Sequence, residues 1–380
     1  MGLFDLFKKK AETKQINCAQ QTVSNAFAPN TQQPIIKVTT EIIPPTPDEV
    51  IPVETRVRTA IKSKSGLYPH EVLILDYAQT FYTDQTSFQG FWWYKYGIRN
   101  VEDCLRSLYD RGFLKIGSLQ TAIEKENGSV LKEVLKTFGL KVSGKKGELV
   151  QRLLNDVPLD DLNKRFPKRT YELTEVGKQA LAEECYIPYI HRHAIEDLDI
   201  WTLNKIVHKQ PYMPYRDKIW AYLNQRSMEH IQANNFGLYR NCRFSMYTFL
   251  TEENKWDNAL SMIAEVIYHD LSGLSNGFQM CYLSIYAEGF FPYKESTATI
   301  APGITQRLLE CQKQLGLTDD ALHEQLILRM KRFSTPFHLF TVEECADIAL
   351  LETKEDTEAL TKMYAKAKRR FNQAYPKSNL

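Results

Sequence analysis

Metal and disulfide signatures are missing from this chain. Its seven cysteines (Cys18, Cys104, Cys185, Cys242, Cys281, Cys311 and Cys345) are scattered, odd in number and never spaced C-x-x-C. That pattern argues against a zinc ribbon and a disulfide framework, and points to a reducing, cytoplasmic setting. No run of about 18 apolar residues occurs, so no membrane-spanning helix is expected, and no secretory apolar region is present. The phosphate-binding P-loop, G-x-G-x-x-G, G-x-S-x-G and H-E-x-x-H are all lacking. No spacing proposes a nucleophile or a general base, so no enzyme and no cofactor are expected. His191 and His193, with Cys185 before them and Glu196 and Asp197 after, form one ligand-like cluster. A metal there needs partners from elsewhere, and the expectation is a surface loop without metal. Net charge is scarce too, only +2 over 380 residues, so any strongly basic surface must be local.

What is present is concentrated at 128–157, GSVLKEVLKTFGLKVSGKKGELVQRLLNDV. Leu131, Val134, Leu135 and Phe138 recur at helical spacing and give one apolar face. Gly139 is placed to stop that helix. Ser143 is the expected N-cap of a second helix over about 145–155, with Leu149, Val150, Leu153 and Leu154 turned inward and Glu148 in its first turns. Between Gly128 and Thr170 ten Lys and Arg stand against five acids, a local excess of five positive charges in a nearly neutral chain.

Leu131, Leu135, Gly139, Leu140, Ser143, Gly144, Lys146, Leu149, Arg152 and Leu153 together resemble a SAP domain, the helix-extended-helix module of scaffold-attachment proteins. The resemblance implies DNA binding with a leaning to A/T-rich minor groove, or less often RNA binding. The expected contact residues are Ser143, Gly144, Lys145, Lys146, Arg152, Lys141 and Lys136. Glycine at 144 allows close backbone approach to a phosphate, and the first N–H groups of the second helix make an anion site flanked by cations.

Around this stretch, helices are expected over about 69–82 and 101–110, the second capped by Asn100 and closed at Gly112. A strand at 113–116 follows. Leu105, Leu108, Gly112 and Leu114 resemble the recognition-helix end of bacterial winged-helix domains, and the matching "Y-x-L-T-x-x-G-x-x-x-L" string comes later, at Tyr171, Leu173, Thr174, Gly177 and Leu181. The arrangement implied is a winged helix whose hairpin tip carries the SAP module at about 119–166, with 113–116 paired to 170–173 and Thr174 capping a final helix. A secondary nucleic-acid set is then Arg99, Arg106, Arg111 and Lys115, in a field weakened by Glu102, Asp103 and Asp110. The aromatic run Phe91, Trp92, Trp93, Tyr94 is read as core before it is read as a base-stacking surface.

Residues 1–56 are rich in Gln, Asn, Thr and Pro and are expected to form a disordered arm. They begin with MGLFDLFKKK, a possible docking or membrane-peripheral piece expected to have no role. From 187 to 380 nearly every segment reads as helix, over 198–209, 215–233, 239–251, 256–271, 304–315, 318–332, 341–352 and 356–375. Thr305, Thr318 and Thr341 are the expected starts, and Gly237, Gly273 and Gly316 the expected stops. Tyr247, Trp256, Ala259, Leu260 and Ala264 resemble a tetratricopeptide-like hairpin, but no repeat period is present. The basic end (Lys362, Lys366, Lys368, Arg369, Arg370, Lys377) is read as a solvated helix terminus rather than a second phosphate contact.

The expected protein is thus mainly α. It has an arm at 1–56, a winged-helix-like domain at 57–186 with its inserted SAP module, and an all-helical interaction domain at 187–380. Its expected role is that of a bacterial or phage type of DNA-binding protein, with double-stranded DNA and a protein partner or a second copy as ligands. The rival expectation is a scaffold or assembly protein whose SAP hairpin packs on the helical domain.

Overall fold

A computed structural model describes residues 50–283, 287–292 and 298–376, all within one compact unit spanning 45–380. The expectation for MGLFDLFKKK and for the arm up to 49 lies outside the described residues. Residues 50–56, assigned to the arm on composition, lie against the body instead. Val50 is buried, Val53 N–H donates to Gly97 O at 3.1 Å, and Arg56 pairs with Asp199 at 3.2 Å.

The fold is mainly helical, with one two-stranded sheet among the described residues. Helix α1 (Pro69–Ala78) starts with proline at its first position, where the lost N–H costs nothing, and its Glu71 carboxylate accepts from Tyr68 N–H at 2.7 Å. Helix α2 (Val101–Asp110) is capped as expected, Asn100 Oδ1 accepting from Asp103 N–H at 3.1 Å, with Val101, Leu105 and Leu108 inward. Strand β1 (Leu114–Ile116) pairs antiparallel with β2 (Tyr171–Leu173), Leu114 opposite Leu173 and Ile116 opposite Tyr171. Thr174 then caps α7 (Glu175–Glu183), whose Gly177 packs so closely on Phe113 that an added Cβ would lie 2.2 Å from its carbonyl oxygen.

Between the paired strands the chain leaves and returns as four helices, α3 (Leu119–Lys125), α4 (Gly128–Thr137), α5 (Lys146–Asp156) and α6 (Leu159–Arg165). They close over a core of their own: Ile123, Leu131, Val134, Leu135, Leu149, Val150, Leu153, Val157, Leu162 and Phe166. Polar contacts fix this insert to the hairpin. Glu172 of β2 accepts from Ser118 N–H (3.3 Å), from the Thr121 hydroxyl and from Lys115 (3.3 Å), and Lys125 reaches Thr170 Oγ1 at 2.6 Å. Thr121 above all, then the Ser118 N–H and Lys115, holds the Glu172 carboxyl below the usual range.

The hairpin core does not stop at residue 186. Leu73, Leu75, Trp92, Tyr96, Leu105 and Leu108 share one apolar cluster with Ile187, Ile200, Leu203, Ile219, Leu223, Cys242 and Phe249. Those later residues come from α8 (Tyr186–Arg192), α9 (Ile200–Lys209), α10 (Tyr215–Gln232) and α11 (Phe236–Glu252). A further cluster joins α11 to α12 (Trp256–Asp270), α13 (Pro302–Leu315), α14 (Asp319–Met330), α15 (Val342–Thr353) and α16 (Thr357–Ala374). The eight expected helices of this half are all present within a few residues. Thr318 and Thr341 cap as expected. Thr305 does not: α13 begins at Pro302, and the Thr305 hydroxyl donates to the Pro302 carbonyl from inside the first turn. Gly237 stops nothing and sits at the second position of α11, where Asn276 Oδ1 accepts from Leu238 N–H at 3.0 Å. The aromatic run is largely core: Trp92 is 1% exposed, Phe91 and Trp93 are half-buried, and Tyr94 reaches solvent.

Two predictions follow from this layering. Leu153 is fully buried in the insert's separate core, so Leu153→Ala should cost about 2–5 kcal/mol. Amide hydrogen exchange should rise across α4 and α5 and stay unchanged across α1 and α2; equal acceleration in both would show that the two cores unfold together. His70 is buried against Trp201, and burial outweighs Glu71 and Glu54 to push its pKa from 6.5 down to about 4. In that window the unfolded chain binds the proton and the folded chain does not, so His70 removes stability as pH falls from about 6.5 to about 4. A His70→Phe variant should show a shallower loss of Tm over that range than the parent, and an identical loss would refute the assignment.

Candidate nucleic-acid interface

Helix α4 buries Leu131, Val134 and Leu135, while its other face carries Lys132 and Lys136 in solvent. It ends as expected: Gly139 has φ +68, and Leu140 N–H returns to Leu135 O at 2.9 Å. The link to α5 differs from expectation at its cap. Ser143 does not cap the helix; Lys145 occupies the N-cap position, and the Glu148 carboxylate accepts from its backbone N–H at 3.3 Å. The reason lies in Gly144, whose φ of +134 inserts one more turn residue before the helix, and whose missing Cβ leaves room for Glu148 Oε2. A carboxylate three residues into the helix satisfies the orphan N–H better from there than the Ser143 hydroxyl can from outside.

Arg152 also has a different place from that expected. Its guanidinium folds back and donates to the carbonyls of Lys141 (2.5 Å) and Ser143 (3.2 Å), so it shapes the link from within. With those carbonyls tied down, Lys141, Ser143, Gly144, Lys145 and Lys146 are exposed on the outside of the turn. Lys136, Lys141, Lys145 and Lys146 have no ion-pair partner among the described residues. The N–H groups of Lys146 and Gly147 likewise have no acceptor there, as the first turn of a helix dictates. Helix α6 adds a cation the sequence did not assign to the site, since Arg165 Nη2 reaches Thr137 Oγ1 at 3.5 Å, beside Lys136. Lys141, Lys145 and Lys146 thus stand exposed and without ion pairs at and just before the N-terminus of α5, with the Glu148 carboxylate beside them, and a helix N-terminus flanked by cations is suited to hold a phosphate.

The secondary set is situated differently. Arg106 pairs with Glu102 (3.0 Å) and Asp103 (3.6 Å), and Lys115 with Glu172 (3.3 Å). Arg111 pairs with Glu71 (2.5 Å) and also donates to Gly66 O at 3.1 Å. Arg99 lies over the Trp93 ring, 4.4 Å from its centre. Exposed pairs of this kind are worth only about 0.2–1 kcal/mol, but each cancels the field its cation would otherwise project. At the basic C-terminal end, Lys366 and Arg370 both pair with Glu344 and Lys362 pairs with Glu358, while Lys377 lies outside the described residues.

The histidine cluster does not assemble. His191 ends a helix and is not in a loop; its ring is clasped between the hydroxyls of Tyr77 (2.7 Å) and Tyr96 (2.6 Å). Burial, helped by Lys95 and Arg192, pushes its pKa down to about 4. His193 turns away to Glu252 at 3.0 Å, with its other ring nitrogen on the Tyr189 carbonyl oxygen.

The family model of the SAP domain matches residues 128–158, the stretch formed by α4, the basic link and α5. The chain therefore carries a SAP domain, and that domain points to a nucleic acid as its partner. No curated protein matches the chain. No helix among the described residues is long and apolar enough to cross a membrane.

Arg152→Ala should free the Lys141 and Ser143 carbonyls at a cost of about 1 kcal/mol. Faster amide exchange over 140–146, with α4 itself protected, is the expected signature, and unchanged exchange would mean that Arg152 does not shape the link.

Proposed function

We propose that this chain is a non-enzymatic, cytoplasmic DNA-binding protein. Its SAP domain grips duplex phosphates through Lys136, Lys141, Lys145, Lys146 and the free N–H groups of Lys146 and Gly147. The observation that carries this reading is the contrast in charge pairing: the cations of the SAP link are exposed and uncompensated, whereas Arg106, Arg111 and Lys115 are neutralised by their own neighbours. Contacts of this kind set affinity and register, and a leaning to A/T-rich sequence would come through groove shape. The winged-helix-like body, in this reading, is the platform for the SAP domain, and the helical half provides the surface for a protein partner or a second copy.

The rival is an assembly protein in which the SAP hairpin packs on the helical half. Exposure of Lys141, Lys145 and Lys146, and a core that the insert completes by itself, favour the first reading.

Salt-dependent binding of A/T-rich duplex, G/C-rich duplex and single-stranded DNA, beside Lys145→Glu/Lys146→Glu, decides between them. The wild type should prefer the A/T-rich duplex and weaken with salt. The double variant should bind more than about 10-fold more weakly, with a log–log salt slope shallower by about 2. Equal and negligible binding by both proteins overturns the proposal.

A further inference from the structure

Away from the SAP domain, three groups that no spacing in the sequence connects converge inside the body. Glu196 lies on the turn between α8 and α9, His230 in the last turn of α10, and Cys242 in the middle of α11. Their ligand atoms all lie within 4.8 Å of one another. Cys242 is fully buried, and the His230 and Glu196 side chains are 6% and 10% exposed. Glu196 holds φ +49, a left-handed conformation that costs a non-glycine residue of the order of 1 kcal/mol. That conformation aims its carboxylate inward, where Oε2 meets His230 Nε2 at 2.7 Å.

We infer that Glu196, His230 and Cys242 form a binding site for a divalent cation of the zinc class. One thiolate, one imidazole and one carboxylate are a borderline-soft donor set that suits Zn²⁺ and does not suit Mg²⁺ or Ca²⁺. Bonds of about 2.0–2.3 Å to a tetrahedral ion require ligand atoms roughly 3–4 Å apart, so small side-chain shifts complete the site and leave a fourth position for water. Charge closes as well: the dication balances one thiolate and one carboxylate, and a neutral set is what a buried position tolerates. On binding, the Cys242 thiol proton leaves to solvent and the sulfur lone pair goes to the metal.

The surrounding shell fits. The Ser227 hydroxyl, buried beside Cys242, donates to Leu223 O at 2.7 Å. Arg226 Nε sits 3.5 Å from Glu196 Oε2 without a hydrogen bond, and its Nη1 pairs with Glu229 at 2.5 Å. A cation at Glu196 therefore replaces one long ion pair and leaves those of Arg226 with Glu229 and with Asp197 (3.8 Å) intact. Because α10 and α11 belong to the core that continues from the hairpin, the ion would staple the turn before α9 to α10 and α11 within that core.

The full chain is loaded with Zn²⁺ or Co²⁺, dialysed and analysed for metal, with Tm measured in zinc and in chelator. One ion per chain, a thiolate-to-cobalt charge-transfer band and a higher Tm in zinc are expected. Cys242→Ser should abolish the band, and Glu196→Gln should weaken zinc binding by more than about 10-fold, the least that loss of a supporting group produces. Should Cys242→Ser fail to fold, Glu196→Gln and His230→Gln carry the test. Substoichiometric metal in the wild type, a cobalt spectrum without the thiolate band, or wild-type affinity in Glu196→Gln overturns the inference.

Discussion

Antiparallel pairing of Leu114, Lys115 and Ile116 with Leu173, Glu172 and Tyr171 joins points of the chain 55 to 59 positions apart, and the presentation of the SAP domain follows from that closure. Bringing such distant points together costs about 3–4 kcal/mol in chain entropy. Two things offset it. The hairpin packs into the apolar cluster of α1, α2 and α7, and the excursion supplies ten buried side chains of its own. The SAP domain is therefore neither a terminal appendage nor part of the main core. Glu172 links the two, since the same carboxylate that lies opposite Lys115 receives the first N–H of the insert.

Charge distribution follows from the same layout. Cations on the body sit beside acids of the same helix, the paired strand or a neighbouring helix, as Arg106 does with Glu102, Lys115 with Glu172 and Arg111 with Glu71. On the SAP link the spacing is different. Its acid, Glu148, is spent on a backbone N–H, and its arginine, Arg152, on two carbonyls. What remains facing outward is lysine. A nearly neutral protein thereby carries a local group of exposed lysines without ion-pair partners among the described residues.

Much of this was legible in the sequence because the signals were local. Periodicity marks α4 and α5 and eight helices of the later half, though not α8, and side-chain caps at Asn100, Thr174, Thr318 and Thr341 mark starts that are borne out. The pairing of 113–116 with 170–173 was readable because a strand and its partner string stood on either side of a self-contained module. The failures have a common cause. Ser143, Thr305 and Gly237 carry the right chemistry for a cap or a stop, but competing groups nearby, or the phase of the helix, assign those positions elsewhere. Helices α3 and α6 are short, and their buried Ile123 and Leu162 make sense only against the core that α4 and α5 form. The meeting of Glu196, His230 and Cys242 is purely tertiary, the first two standing 34 positions apart, and no spacing rule reaches it.

Both chain segments that carry the SAP domain leave the body side by side, from the same end of the hairpin. Tension on a bound nucleic acid would accordingly peel β1 from β2 as a zipper opens. The first bonds to part would be those nearest the module, Gly117 N–H to Thr170 O and the Ile116–Tyr171 pair, and the force would then pass inward one rung at a time. Rungs loaded one at a time part at lower force than rungs loaded together, so under such a pull the hairpin would give way before the helical body behind it.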